Sequence, residues 1–297
     1  MKVKSVAATV VAALCVAGIV AAASSARVGS QPAALDAKPA HGFVPSRAAK
    51  SAGARHVSQL LWNGGPVQHA TTVVPVYWGS RWGNSSFVGD KVTGLNTLYS
   101  GIGGTAYART NGEYTDSSAS VNTSSIGKSG NLTDTSATPS GAPSTTQVLQ
   151  EVAKVTGNRP VAGAYYPVYS DQPRGGAGYC AWHSSGTIGG IRVQFGFFFN
   201  LDGDANCDPG SPSSLGHSQG LAALANVSGH ELSEMLTDPQ LNAWYDRQGN
   251  ENADKCAWTF SGTVAIGGDS WKIQGNWSNA AASLGTGYAN GGCIETR

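Results

Sequence analysis

The sequence predicts an α+β fold: a twisted mixed sheet backed by helices and stabilised by disulfides. Three observations point there. Residues 71–78 (TTVVPVYW), 161–170 (VAGAYYPVYS) and 179–200 (YCAWHSSGTIGGIRVQFGFFFN) are β-branched and aromatic runs of strand type, the last turning back at Gly189-Gly190. Residues 144–157 (STTQVLQEVAKVTG) place Val148, Val152 and Val155 on one helical face, with Ser144 or Thr145 to cap the start and Gly157 to stop the end. A longer helix is expected over about 215–238, because Pro239 cannot continue it.

Taken in order, the chain opens with Lys2 and Lys4, an apolar Ala/Val-rich run over 6–20, and small residues at Ala23 and Ala26. This is the pattern of a secretory signal peptide over 1–26. Residues 27–57 are rich in Ala, Pro and Ser without apolar periodicity and read as a flexible linker. A single domain is expected over 58–297. Within it, 87–99 reads as a helix, and the polar stretch 115–144 as either a long exposed loop or a set of short edge strands. Residues 259–279 (TFSGTVAIGGDSWKIQGNWSN) read as two further strands.

Net charge is +1 and only 12% of residues are charged, with no Lys/Arg cluster, which argues against a nucleic-acid binder. No apolar run after the signal is long enough to span a membrane. Cys15 lies in the signal and is expected to leave with it. Cys180, Cys207, Cys256 and Cys293 remain, without any C-x-x-C pair, so disulfides fit an exported chain better than zinc ligation does. Three pairings are open. Proximity favours Cys180–Cys207 with Cys256–Cys293, each bridge contributing about 3 to 4 kcal/mol by loop entropy.

The chemistry concentrates at 228–246 (SGHELSEMLTDPQLNAWYD). His230 and Glu234 are one turn apart on a helix, so both reach one ion, as the two His of H-E-x-x-H do. Glu231 then stands where the general base of that motif stands. A carboxylate in place of the second imidazole makes the site harder and loosens its preference for zinc over other divalent cations. Glu251 and Asp254, in NENADKC, are candidates for the third ligand, with Asp238, His183 and His217 further candidates. The competing explanation is a helix whose polar face is simply wet. Scarce charge, Gly229 beside His230 and the second acidic cluster favour a site. The eight tryptophans read mainly as core, and no G-x-S-x-G, P-loop or dinucleotide fingerprint is present.

Residues 230–246 (HELSEMLTDPQLNAWYD), followed by 251–258 (ENADKCAW), resemble the phosphate-induced protein 1 family, which includes the EXORDIUM-like secreted proteins; this chain resembles a bacterial-type member. The opening 62–79 (WNGGPVQHATTVVPVYWG) and YCAWHS at 179–184 resemble further family segments, so the likeness runs from about residue 60 to the C-terminus. It implies an exported, cell-wall-associated protein and supplies no reaction. His230, Glu231, Glu234, Glu251, Asp254 and Cys256 match the family pattern. Asn in plant members demotes Asp238 as a ligand.

The expectation is therefore a zincin-like domain carrying a metal site, zinc or another divalent cation, on its long helix. His230, Glu234 and one of Glu251 or Asp254 would be ligands, and Glu231 the base for hydrolysis of a peptide or cell-wall substrate by a secreted monomer. The alternative from another class is a non-catalytic extracellular binding or signalling protein whose His–carboxylate cluster is structural.

Overall fold

A computed structural model describes residues 1, 34–51, 58–289 and 291–297. The signal peptide beyond Met1 lies outside the described residues, as do 27–33 and 52–57 of the segment read as a linker.

Along the chain the elements are β1 (Leu35–Ala37), β2 (His41–Pro45), α1 (Arg47–Ser51), β3 (Leu61–Trp62), β4 (Thr71–Val73), β5 (Val76–Trp78), α2 (Ser85–Val88), α3 (Lys91–Gly101), β6 (Ile126–Lys128) and β7 (Leu132–Asp134). There follow α4 (Thr145–Val155), β8 (Tyr165–Pro173), β9 (Tyr179–Ile188), β10 (Ile191–Asn200), α5 (Gln219–Thr237), β11 (Trp244–Tyr245), β12 (Val264–Ile266), β13 (Asp269–Trp271), β14 (Asn276–Trp277), α6 (Asn279–Leu284) and β15 (Cys293–Ile294).

Local chemistry explains most boundaries. The expected 71–78 strand is two short ones, because Pro75 has no N–H to donate to a ladder. The expected 87–99 helix is likewise broken, at Gly89, whose φ of 51° leaves the helical region. At α4, Ser144 and Gln147 form the reciprocal capping box. Gly189 and Gly190 both have positive φ (57° and 83°), which suits a two-residue hairpin turn between β9 and β10. The polar stretch resolves as short strands, β6 and β7, pairing parallel to β4 and β5.

The principal sheet has nine strands among the described residues and is mixed. β10 pairs antiparallel with β9 and parallel with β8, which continues in parallel to β4 and β5. Beyond β9, the edge is closed antiparallel by β1 and β2. This departs from the sequence expectation of a flexible linker over 27–57: Leu35–Ala37 and His41–Pro45 are strands of the sheet, Arg47–Ser51 is a helix, and the folded unit begins before residue 58. Main-chain hydrogen bonds to β9 hold much of this segment, with Val44 in the core and Leu35, Ala37 and Ala40 packed against the core.

The helix α5 is buried at every position from Gly220 to Thr237. Leu221, Leu224, Leu232, Met235 and Leu236 join the core with Trp182, Phe195 and Phe197 of β9 and β10. At Gly229 α5 presses closely on its surroundings, since a Cβ there would lie 2.6 Å from Ile273 Cγ2 and 3.1 Å from the Tyr107 hydroxyl. The bridges are Cys180–Cys207 and Cys256–Cys293, the pairing that proximity favours. No described helix is long and apolar enough to cross a membrane.

Helix propensity and packing make opposite predictions at Gly229. Alanine is favoured in a helix by about 1 kcal/mol, but forcing a methyl against the stiff, branched Ile273 costs about 1 to 3 kcal/mol. Gly229→Ala is expected to lower the urea midpoint; a raised midpoint would show that this contact relaxes freely.

Candidate metal centre

The polar side of α5 is not wet. His230, Glu231 and Glu234 are all fully buried, so the structure turns the surface-helix explanation aside. A buried charge needs partners, and these come from four places: β2, β9, the loop around 246–257, and Gln274. That loop is stiffened from within. Asp246 accepts from the backbone N–H groups of Gln248 and Asn250, and Cys256 is tied to Cys293.

His230 Nε2 lies 2.9 Å from Glu234 Oε1 and 3.6 Å from Asp254 Oδ1. The Asp254 backbone N–H donates to Glu234 Oε1 at 2.9 Å, and the Glu251 N–H to Asp254 Oδ2 at 3.1 Å. Asp254 is thus the acid brought to His230. Glu251 instead meets His183 Nε2 at 2.9 Å and His41 Nδ1 at 2.8 Å. His183 also reaches Glu234 Oε2, at 3.7 Å. Three overlapping sets have ligand atoms close enough to share an ion: His230, Glu234 and Asp254; His183, Glu231 and Glu234; and His41, His183 and Glu251.

Several of these atoms lack an aligned hydrogen bond despite complete burial: His230 Nε2, both Glu231 oxygens, Glu234 Oε2 and Glu251 Oε1. His230 Nε2 and Glu234 Oε1 are close without pointing correctly at each other, which is how two ligands of one ion sit. A tetrahedral zinc with ligands at about 2.0 to 2.1 Å separates them by about 3.3 Å. The 2.9 and 3.6 Å spacings bracket that value.

The electrostatics are those of crowded acids. Burial, then the charge of Asp254, raises Glu234 to about 7. Burial lifts Glu251 to about 7 as well. Burial, with Glu234, Asp254 and Glu251 around it, pushes Glu231 well above the carboxylate range, the Val44 backbone amide offsetting this only in part. Burial opposes charge on His230, yet Glu234 and Asp254 hold it up to about 9. A hydrogen bond to Glu251 lifts His41 to about 9, while burial drives His183 down to about 4.

Gln274 fixes the back of the His230 ring, with its Nε2 2.5 Å from His230 Nδ1 and 3.3 Å from the Ala253 carbonyl. Its Oε1 accepts from the Trp258 N–H at 3.2 Å. This orientation favours a neutral ring with its proton on Nε2, against the pull of the two carboxylates. The carboxylates are the stronger influence, and 2.5 Å is short for N–H···N. Turning the amide over lets Oε1 accept from Nδ1–H.

The remaining candidates go elsewhere. His217 pairs with Asp269 and stacks on Trp271. Asp238 holds the chain after α5, accepting from the N–H groups of Asn242 and Ala243. His41 was not legible, because a lone His in a Pro/Ala-rich stretch carries no periodic or spacing signal. A surface cavity of about 360 Å³ lined by His41, Gly42, Lys50 and Asp254 reaches the cluster, where the Asp254 side chain is 16% exposed. No protein-family model, curated protein or solved structure matches the chain.

The titrations set a sign for chelated protein. His41 and His230, raised from 6.5 to about 9, stabilise the fold fully below pH 6.5 and lose that contribution as pH rises through about 9. Glu234, Glu251 and Asp238, raised to about 7, act in the same direction, losing their contribution by about 7. His183 opposes only below 6.5. The thermal midpoint of metal-free protein is expected to fall between pH 6.5 and 9; a midpoint that rises with pH there would contradict a protonated cluster.

Proposed function

We propose that this chain is a secreted, zincin-like metallohydrolase acting on peptide bonds, with its centre at the His230–Glu234–Asp254 triad. The supporting observation is a fully buried imidazole and carboxylate at ligand spacing, of which His230 Nε2 and the second Glu234 oxygen, Oε2, lack aligned partners. When bound, a divalent cation, zinc by its nitrogen-plus-oxygen donor set, polarises a carbonyl and makes water nucleophilic at neutral pH. His230 Nε2, a Glu234 oxygen and an Asp254 oxygen would hold it. Gln274 orients the imidazole from behind. Glu231, one residue along the helix and within the neighbouring cluster, would serve as the base once a cation's charge beside it offsets the burial and neighbouring acids that keep it protonated, taking the attacking water's proton at a carboxylate oxygen and returning it to the leaving nitrogen. Two disulfides fit an oxidising, extracellular setting, and the likeness of 230–258 to the phosphate-induced protein 1 family supports a secreted, wall-associated role.

The second reading is a non-catalytic secreted binding protein whose cluster is a structural network. The 2.9 Å His230–Glu234 contact favours it, since that distance needs no ion.

Metal content of the purified protein decides between them. About one equivalent of zinc is expected, lost in His230→Ala and Glu234→Ala but kept in Glu231→Gln, because Glu231 is the base rather than a ligand. Folded protein that takes up no divalent cation leaves the structural network.

Support of the ring from behind has its own outcome. Gln274→Ala is expected to weaken zinc binding about 10- to 100-fold, as loss of a ligand's outer partner does, while Gln274→Glu retains it. Equal affinity in all three proteins would remove Gln274 from the site.

A further inference from the structure

The outer edge of β9 is covered by residues 34–46, a segment held largely by its backbone, with Leu35, Ala37 and Ala40 packed on the core and Lys38 Nζ donating to the Gln240 carbonyl. The Lys38 N–H donates to the Ser185 carbonyl and the Ser46 N–H to the Gly178 carbonyl, both at 2.9 Å, and the Gly189 N–H to the Ala34 carbonyl at 2.8 Å. The Ser184 hydroxyl donates to the Lys38 and Pro39 carbonyls at 3.0 and 2.9 Å. The Trp258 indole N–H donates to the Pro45 carbonyl at 2.6 Å. Val44 is the one large apolar side chain it buries completely, and Phe43 stays exposed.

Over the centre the segment abandons regular pairing, its register shifting between His41 and Val44. Gly42, at φ 54°, brings bare main chain against the cluster: a Cβ there would lie 2.1 Å from Glu234 Oε2 and 2.3 Å from His183 Nε2. His41 beside it occupies Glu251. Main-chain recognition along a sheet edge, with a close approach at one point, is how an extended peptide is held by strand addition.

We infer that the β9 edge above the centre is a binding groove for an extended polypeptide strand, and that residues 34–46 occupy it in cis as a pseudosubstrate. The inference rests on the hydrolytic reading of the centre and supplies its substrate class. The groove reads backbone more than side chains and takes a residue without a Cβ next to Glu234 and His183. While the segment is in place, the centre reaches solvent among the described residues through the cavity beside His41 and Asp254.

The test needs neither activity nor metal. The full chain, with residues 52–57 replaced by a specific protease site, is folded and then cut. A labelled synthetic peptide of residues 34–50 is added in excess. Exchange of the resident segment for labelled peptide is expected, with a Gly42→Val peptide at least about tenfold weaker, the cost of forcing side-chain volume into a filled space. Folded, cut protein that admits no labelled peptide overturns the inference, and so does unfolding when the segment leaves. In the uncut chain, Gly42→Val is expected to abolish hydrogen-exchange protection over 34–46 while β8, β10 and α5 keep theirs. Joint loss across the sheet would make the segment an integral strand and overturn the inference. Zinc content measured in parallel separates the claims: metal without exchange defeats this inference alone, and exchange without metal defeats the hydrolytic reading and with it the pseudosubstrate role, leaving only a strand-binding edge.

Discussion

One helical turn that carries His230, Glu231 and Glu234 into the interior governs the arrangement around it. Ionised groups removed from water cost several kcal/mol each unless charge or hydrogen bonds offset the loss. That demand recruits Asp254 and its backbone N–H from one loop, His183 from β9, Gln274 from behind, and the chain at 41–42 from above. The apolar side of the same helix ties these polar partners to the main core through Leu232, Met235 and Leu236. The resulting density leaves no room at Gly229 for even a methyl group.

Much of the scaffold was readable because it depends on neighbours in sequence. The α4 cap needs only Ser144 and Gln147, and the β9–β10 turn only two adjacent glycines. The His230–Glu234 pair was readable for the same reason, being one helical turn apart. What escaped depends on long-range contacts. Glu251 and Asp254 are three residues apart and chemically alike, and only the loop's path decides that Asp254 faces His230 while Glu251 faces His41 and His183. The strands at 35–45 escaped because their main-chain hydrogen bonds leave almost no trace in composition. Whether the polar side of α5 meets water or protein was also beyond periodicity, which sees an amphipathic helix in either case.

The cluster is at once rich in donors and short of geometry. Its oxygens and nitrogens are near one another but largely unaligned, and burial pushes its carboxyls up and His183 down. A cation and a set of shared protons are two ways of relieving the same crowding. Both leave a proton on His230 Nδ1, so both call for the Gln274 amide to turn its Oε1 toward that N–H, away from the backbone partners of its present orientation.

The Cys256–Cys293 bridge closes two residues after Asp254. Before those thiols are oxidised, nothing covalent fixes the loop that brings Asp254 to His230 and Glu234. Inside a reducing cytosol the chain would carry His230 and Glu234 on a formed helix with their partner still unanchored. The covalent staple therefore makes the placing of Asp254 against His230 and Glu234 depend on the oxidation state of one pair of thiols.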